Sequence, residues 1–359
     1  MRGIGGSERH LLVLLPALAA RGVDVSFVGL DDPAWDPEPF YRELGVPAVR
    51  LRAPRDLDPA LLLALRRKLQ RLRPDVVHTH LVHADVYGAL AAPGALVSTK
   101  HNDDPFRLGP FRHVERTLAR RVRRVIAITE ALARFNVERV GLPAEKVAVV
   151  HYGLDEPPAP WGENPPLVLP DGARVLVAVC RLVPQKGVDV AVRALAEIRR
   201  DHPDAVLVVF GDGDQRDALV RLAADLGVGD ALYLPGRAGD VAAWLARAEV
   251  VVHPVRWEGF GLALLEAMLV GRPVVASAVS SVPEIVVDGE TGLLVPPDDP
   301  GALAAAIGRL LGDADIASAY GAAGHARALA EFSVARMATR TLGVYEGALG
   351  GAAPSTNDR

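Results

Sequence analysis

The sequence predicts an α/β protein of two doubly wound, Rossmann-like domains facing each other across a cleft. Three observations predict it. Short apolar runs alternate with amphipathic stretches along nearly the whole chain, the pattern of parallel strands joined by crossover helices. A stretch at 156–170, with prolines at 157, 158, 160, 165 and 166, interrupts the series as a linker does. The length, 359 residues of which 50% are hydrophobic, suits two separate cores.

In the first half, apolar runs predict strands at 23–30, 75–80, 95–100, 125–129 and 147–150. Helical periodicity predicts helices at 7–20, 59–72, 111–121 and 130–140. After the linker, strands are expected at 174–180, 205–210, 231–234, 250–253 and 273–276. Helices are expected between them at 188–200, 215–226, 240–247 and 262–270. Residues 300–311, 316–330 and 334–349 read as closing helices and 350–359 as a frayed tail. The domains are therefore expected at 1–155 and 171–332. In such a pair a ligand sits near the C-terminal ends of the strands.

The single Cys180 excludes a disulfide framework and fits a reducing compartment, so a cytoplasmic setting is expected. Lysine is scarce, at 68, 100, 146 and 186, so a lysine inside a motif stands out. The net charge of −4 is uneven: residues 1–150 hold 23 Lys and Arg against 17 Asp and Glu, the remainder 17 against 27. The basic half reads either as solvated helix faces or as attraction to an anionic partner, a membrane surface included. The arginines are too diffuse for a nucleic-acid footprint. No apolar run reaches the roughly 18 residues of a membrane span. Residues 11–20 could pass for the core of a signal peptide, but Glu8 before them and Pro16 within them favour an ordinary helix.

The richest motif runs from Trp257 through Glu258, Gly259, Phe260, Gly261 and Leu262 to Glu266 and Met268. Its glycines let the backbone turn sharply and approach a ligand. A helix opening near Leu262 points free amides at that loop, an anion site in the making. Glu266, about one turn in, is placed to accept hydrogen bonds from vicinal hydroxyls. Arg181 and Lys186 follow the first strand of the second domain, where two cations suit a diphosphate.

This motif resembles the signature of glycosyltransferase family 4, retaining enzymes of the GT-B fold. The resemblance extends over nearly the whole chain. It takes in Gly5-Gly6-Ser7-Glu8, His78-Thr79-His80, Tyr152-Gly153-Leu154-Asp155, Arg181 to Lys186-Gly187, Gly211-Asp212-Gly213 and Pro283-Glu284-Ile285-Val286. It implies transfer of a sugar from a nucleotide-diphosphate donor to a glycan, lipid or small-molecule acceptor, in cell-envelope or polysaccharide synthesis. By resemblance Arg181 and Lys186 hold the diphosphate, Gly211 and Gly213 lie against the nucleotide, and the backbone around Arg237 meets the base. Glu258, Gly259, Phe260, Gly261, Leu262 and Glu266 form the rest of the donor site. Glu258, His101, Arg181 and Lys186 are the candidate catalytic residues, His101 through contact with the transferred sugar. A structural role for His101 is the alternative. Gly5 and Gly6 let substrate approach the backbone, and helix 333–349 is expected to return to the first domain. Val255 and the Ser280-Ser281 pair depart from the family pattern.

No metal or other cofactor is expected, since two cations and a helix terminus can stabilise a leaving diphosphate. Asp212-Gly213-Asp214 spells a metal motif of a different fold; here it reads as a turn and helix N-cap. His78, His80 and His83 could suggest zinc, but no completing ligand accompanies them. A retaining phosphorylase on the same fold and a dinucleotide oxidoreductase are the rival functions. The second would want a full G-x-G-x-x-G after a strand, which is missing. Finally, Gly3-Ile4-Gly5-Gly6 matches a segment that follows a first strand in the family, and only Met1 and Arg2 precede it. The expectation is a start about 10 residues upstream and, in the chain as given, a gap in the first sheet.

Overall fold

The computed structural model describes residues 5–34, 36–53, 57–103, 105–157, 167–238 and 241–350. Gly3, Ile4, Asp104, most of the proline-rich stretch and nearly all of the tail lie outside the described residues. The chain divides into two compact units. Unit 1 is Met1–Gly153 with Ser333–Arg359; unit 2 is Leu154–Phe332.

Unit 1 opens with α1 (Gly6–Ala19), followed by β1 (Phe27–Asp31), α2 (Glu38–Glu43), β2 (Ala48–Arg52) and α3 (Pro59–Leu72). Next come β3 (Val76–His80), α4 (Val82–Ala91), β4 (Ala95–Lys100), α5 (Phe111–Leu118) and β5 (Arg124–Ala127). Then α6 (Glu130–Arg134) runs on as a π-helical segment, Phe135–Val140, before β6 (Val147–Val149). Every pairing is parallel. Among the described residues the strands form two ladders, β1–β2 and β3–β4–β5–β6, and none joins β1 to β3. The two ladders share a core all the same: Val28, Leu30 and Leu51 from the first and Val77 from the second pack on Leu61, Leu65 and Leu69 of α3.

Side chains alternate across the larger sheet, as strand geometry requires. Val77, Leu96 and Val125 face α3, α4 and α5. Val97 and Ile126 face the other way, onto Leu14 and Leu18 of α1 and onto Val334, Met337 and Ala338. The last three belong to α14 (Val334–Leu349), the chain's final helix, which packs on α1, β4 and β5 within unit 1. Leu14 and Leu18 are each 1% exposed, so the apolar run read as a helix serves as core. Burial of side chains like these contributes roughly 1.5–3 kcal/mol apiece.

The expected first strand, 23–30, starts late. Val23 and Val25 pack on the α1 cores from outside the ladder, and pairing begins at Phe27. Three elements of this unit were not expected at all: α2, β2, which is half exposed, and α4, which carries His83 on its solvent side.

Unit 2 comprises β7 (Arg174–Val179), α7 (Val188–Ile198), β8 (Ala205–Phe210), α8 (Arg216–Asp225), β9 (Leu232–Gly236), α9 (Ala242–Arg247) and β10 (Val250–His253). It continues with α10 (Leu262–Leu269), β11 (Val274–Ser277), α11 (Val282–Ile285), β12 (Leu293–Val295), α12 (Pro300–Gly312) and α13 (Ala314–Glu331). Its six strands form one parallel sheet in the order β12-β11-β10-β7-β8-β9. The strands are almost wholly apolar because both faces are covered; β8 and β10 are buried along their full length. The order places β7 between β10 and β8, so the loops after β7 and β10 are neighbours. No helix among the described residues is long and apolar enough to cross a membrane.

Candidate functional site

In unit 2 the loop after β7 and the loop after β10 meet, although their residues lie about 72 positions apart. Lys186 donates to Glu258 Oε2 at 2.5 Å, and His253 Nε2 lies 3.1 Å from the same oxygen. Glu258 Oε1 accepts the amide of Gly259 at 3.1 Å. Burial pushes the Glu258 carboxyl upward, but the His253 hydrogen bond and the Lys186 charge outweigh it and hold it at about 2. Burial lowers His253, so the imidazole is neutral and donates through Nε2–H. The result is a fixed carboxylate bonded on both oxygens.

Other contacts stitch the two loops. Gln185 donates to the Trp257 carbonyl at 3.0 Å, and the Arg256 amide donates to the Gln185 carbonyl at 2.9 Å. The Arg256 guanidinium makes a two-pronged contact with Asp189 at 3.0 and 2.8 Å and reaches Asp298 at 2.7 Å. The buried Ser281 hydroxyl lies 3.1 and 3.2 Å from the carbonyls of Glu258 and Phe260, clamping the motif from below. This serine, one of the pair that departs from the family pattern, is thus a structural part of the loop. Arg181 is exposed, its guanidinium 3.4 Å from the Gln185 side chain.

Gly261, at φ +100°, is the residue from which α10 starts, a conformation that side chains disfavour. Beyond it the amides of Leu262 and Ala263 precede the first helical hydrogen bonds, which run from Leu264 and Leu265 to the Gly261 carbonyl. Glu266 lies half-buried one turn further on. Phe260 is 2% exposed and meets Phe332 edge to face, so only its backbone is left for a ligand.

One reading changes. Asp212 and Asp214 do not cap α8: its N-cap is Gln215, and Asp212 Oδ1 accepts the Gly213 amide instead. Gly211 and Gly213 are needed for packing. A Cβ on either would stand 1.8 Å from the Cys180 carbonyl oxygen or 2.3 Å from that of Leu182. Arg237 lies exposed just beyond β9.

In unit 1, His101 belongs to a buried aromatic cluster. Its Nε2 lies 3.0 Å from His80 Nδ1, and its Nδ1 is bonded to the Tyr152 hydroxyl. His78 bonds Tyr345 and Thr99, both at 2.7 Å, and His10 stacks on Tyr152 at 4.3 Å. Both ring nitrogens of His78 and of His101 are therefore engaged with protein partners. Burial holds all four histidines below their usual range, His80 at about 3. Among the described residues, no group of three His, Cys, Asp or Glu side chains is arranged to hold a metal ion. Gly5 precedes α1, its amide bonded to Glu8 Oε2 at 3.0 Å, and Gly6 is the first helical residue.

Sequence reasoning missed His253, Arg256 and His10, and saw Ser281 only as a departure from the family pattern. The only local signal for His253 was a polar residue closing an otherwise all-valine strand.

Residues 163–327 match the family described as glycosyl transferases group 1, and residues 4–156 match Glycosyltransferase Family 4. The glycogen synthase of Mycobacterium tuberculosis is 31% identical over 95% of this chain and 91% of its own length. A D-inositol 3-phosphate glycosyltransferase of Acidothermus cellulolyticus is 32% identical over 86% and 78%. Among solved structures, Anabaena HepE in complex with UDP and glucose aligns with a TM-score of 0.81 at 22% identity, covering 95% of this chain and 96% of that one. The chain belongs to glycosyltransferase family 4 and has the GT-B fold.

Proposed function

We propose that this glycosyltransferase moves a sugar from a nucleotide-diphosphate donor with retention of anomeric configuration, using the unit 2 site. The observation that supports it is the Lys186–Glu258–His253 cluster beside the start of α10. A donor diphosphate would draw Lys186 from Glu258 and share Arg181 and the α10 amides. As the bond between the sugar C1 and the diphosphate oxygen breaks, charge grows on the diphosphate, where these groups stabilise it. The acceptor oxygen bonds C1 on the same face, and its proton passes to the leaving phosphate oxygen. Glu258, already anionic and doubly bonded, is proposed to orient the donor rather than act as a base. That HepE was solved with UDP and glucose fits a nucleotide-sugar donor. His101 is proposed to touch the sugar, exchanging its His80 bond for one to a hydroxyl. The setting is proposed to be cytoplasmic, in envelope or polysaccharide synthesis, with peripheral membrane contact.

The test is a thermal-shift panel of UDP-, GDP-, ADP- and dTDP-sugars. A donor that binds the native state raises the melting temperature. No shift with any donor, together with stabilisation and turnover by free phosphate and a glycan, would establish the phosphorylase reading instead.

Lys186→Ala is expected to cut kcat by roughly 10²–10³, the loss seen when one preorganised charge-stabilising donor is removed. Affinity for the bare nucleoside should stay unchanged, and Arg181→Ala should behave alike. Equal loss of nucleoside affinity would show the cations to be misplaced. Turnover is also expected to persist in excess EDTA; a loss that added metal restores would revive a metal role.

A further inference from the structure

We propose that the α3–α4–α5 layer of unit 1 is a docking surface for an anionic lipid bilayer. The three helices form one layer: α3 packs on α4 through Leu61, Leu65, Tyr87 and Ala91, and α4 on α5 through Ala89, Ala92 and Ala119. Charge on this layer is segregated by depth. The acids within the three helices, Asp85 and Glu115, are 5% and 4% exposed and point inward. Lys100 lies 2.6 Å from Asp85, and Lys100 and Arg107 lie 3.1 and 2.9 Å from Glu115. The arginines face outward: Arg66, Arg67 and Arg71 on α3, and Arg112, Arg116 and Arg120 on or just after α5, are all exposed. Among the described residues none of these six makes an ion pair within 4 Å. An ordinary solvated helix face alternates its signs; this one presents cations alone.

Apolar side chains stand among them. Leu63 is 48% exposed and Leu90 on α4 is 56% exposed. On α3 the buried positions 61, 65 and 69 fix the inner face, which places Leu63 opposite, between Arg66 and Arg67. Exposed leucines set in a field of unpaired arginines match a bilayer interface: phosphates take the guanidinium groups and the acyl boundary takes the leucines. A soluble polyanion would use the arginines and leave the leucines in water.

This assigns the peripheral contact proposed above to one surface of unit 1, whereas the proposed donor site is built from unit 2 residues. The full chain should co-sediment with vesicles of phosphatidylcholine and phosphatidylglycerol, less so at high salt, and not with phosphatidylcholine alone. Each cation near an anionic leaflet is worth about 5-fold in partitioning, so Arg66→Gln/Arg67→Gln/Arg71→Gln should lower the partition coefficient on the order of 100-fold. The matching triple Lys variant should restore it. Leu63→Ser/Leu90→Ser should lower it several-fold. All these residues are exposed, so melting temperature and nucleotide-sugar turnover in solution should not change. Failure to bind anionic vesicles, or a Gln variant that binds like the parent, would overturn the proposal. A leucine variant that binds like the parent would make the layer a polyanion site and overturn the bilayer. Loss of vesicle binding with turnover intact separates this surface from the catalytic reading.

Discussion

Glu266→Ala should weaken donor binding by roughly 10²–10⁴-fold. The residue lies on α10, one turn beyond the helix start, half-buried and on the segment that the Ser281 clamp and Gly261 hold in place. In the proposed donor complex its carboxylate accepts two hydrogen bonds from the ribose hydroxyls. Charge-assisted bonds of this kind contribute about 1.5–3 kcal/mol each, and both are lost together. Glu266→Gln keeps the shape but not the charge and should fall between. Isothermal calorimetry on the folded variant decides: an unchanged donor affinity would remove Glu266 from the site.

Acid should destabilise unit 1 steeply. His10, His78, His80 and His101 are held neutral by burial, with folded pKa values below the unfolded value of about 6.5. A histidine with a depressed folded pKa leaves the folded state with fewer bound protons once the pH drops below the unfolded value. Stability is therefore full above about pH 6.5 and is lost as pH falls from there toward about 3, the His80 value. At one pH unit below the unfolded pKa each neutral histidine costs about 1.4 kcal/mol. His10 and His101, 5% and 6% exposed, account for about 3 kcal/mol between them, and His78 and His80 for a similar amount at most. Denaturant melts at pH 7.5 and 5.5 should differ by that amount, and the double variant His10→Phe/His101→Phe should flatten the dependence. Equal stability at the two pH values would mean that the cluster takes up protons without cost.

The second domain was the more legible part, for a physical reason. Strands buried on both faces read as near-continuous apolar runs, as at 205–210 and 250–253, where the expected and observed bounds agree. In unit 1, β2 is a five-residue strand with Arg50 and Arg52 among its residues, and its periodicity does not separate it from a loop. Helix α4 begins straight after Leu81, which sits at φ +72°, a conformation no local propensity announces. The Glu258 motif and the two cations were visible as residue types. Their pairing was not, because parallel β7 and β10 bring together loops 72 positions apart. That Glu258 holds Lys186 is likewise visible in the fold alone.

Glycine shows a related limit. Gly211 and Gly213 read as a ligand-approach loop, yet the Cys180 and Leu182 carbonyls leave neither any room for a Cβ. Packing alone requires glycine there, whatever the loop binds.

The central claim is transfer from a nucleotide sugar with retention, and it can be tested without knowing the acceptor. In acceptor-free solution, water replaces the acceptor and the donor identified by thermal shift is slowly hydrolysed. Proton NMR of the first sugar released from an α-linked donor should show the α anomer, with the β form growing in only by mutarotation. First appearance of the β anomer would contradict the account.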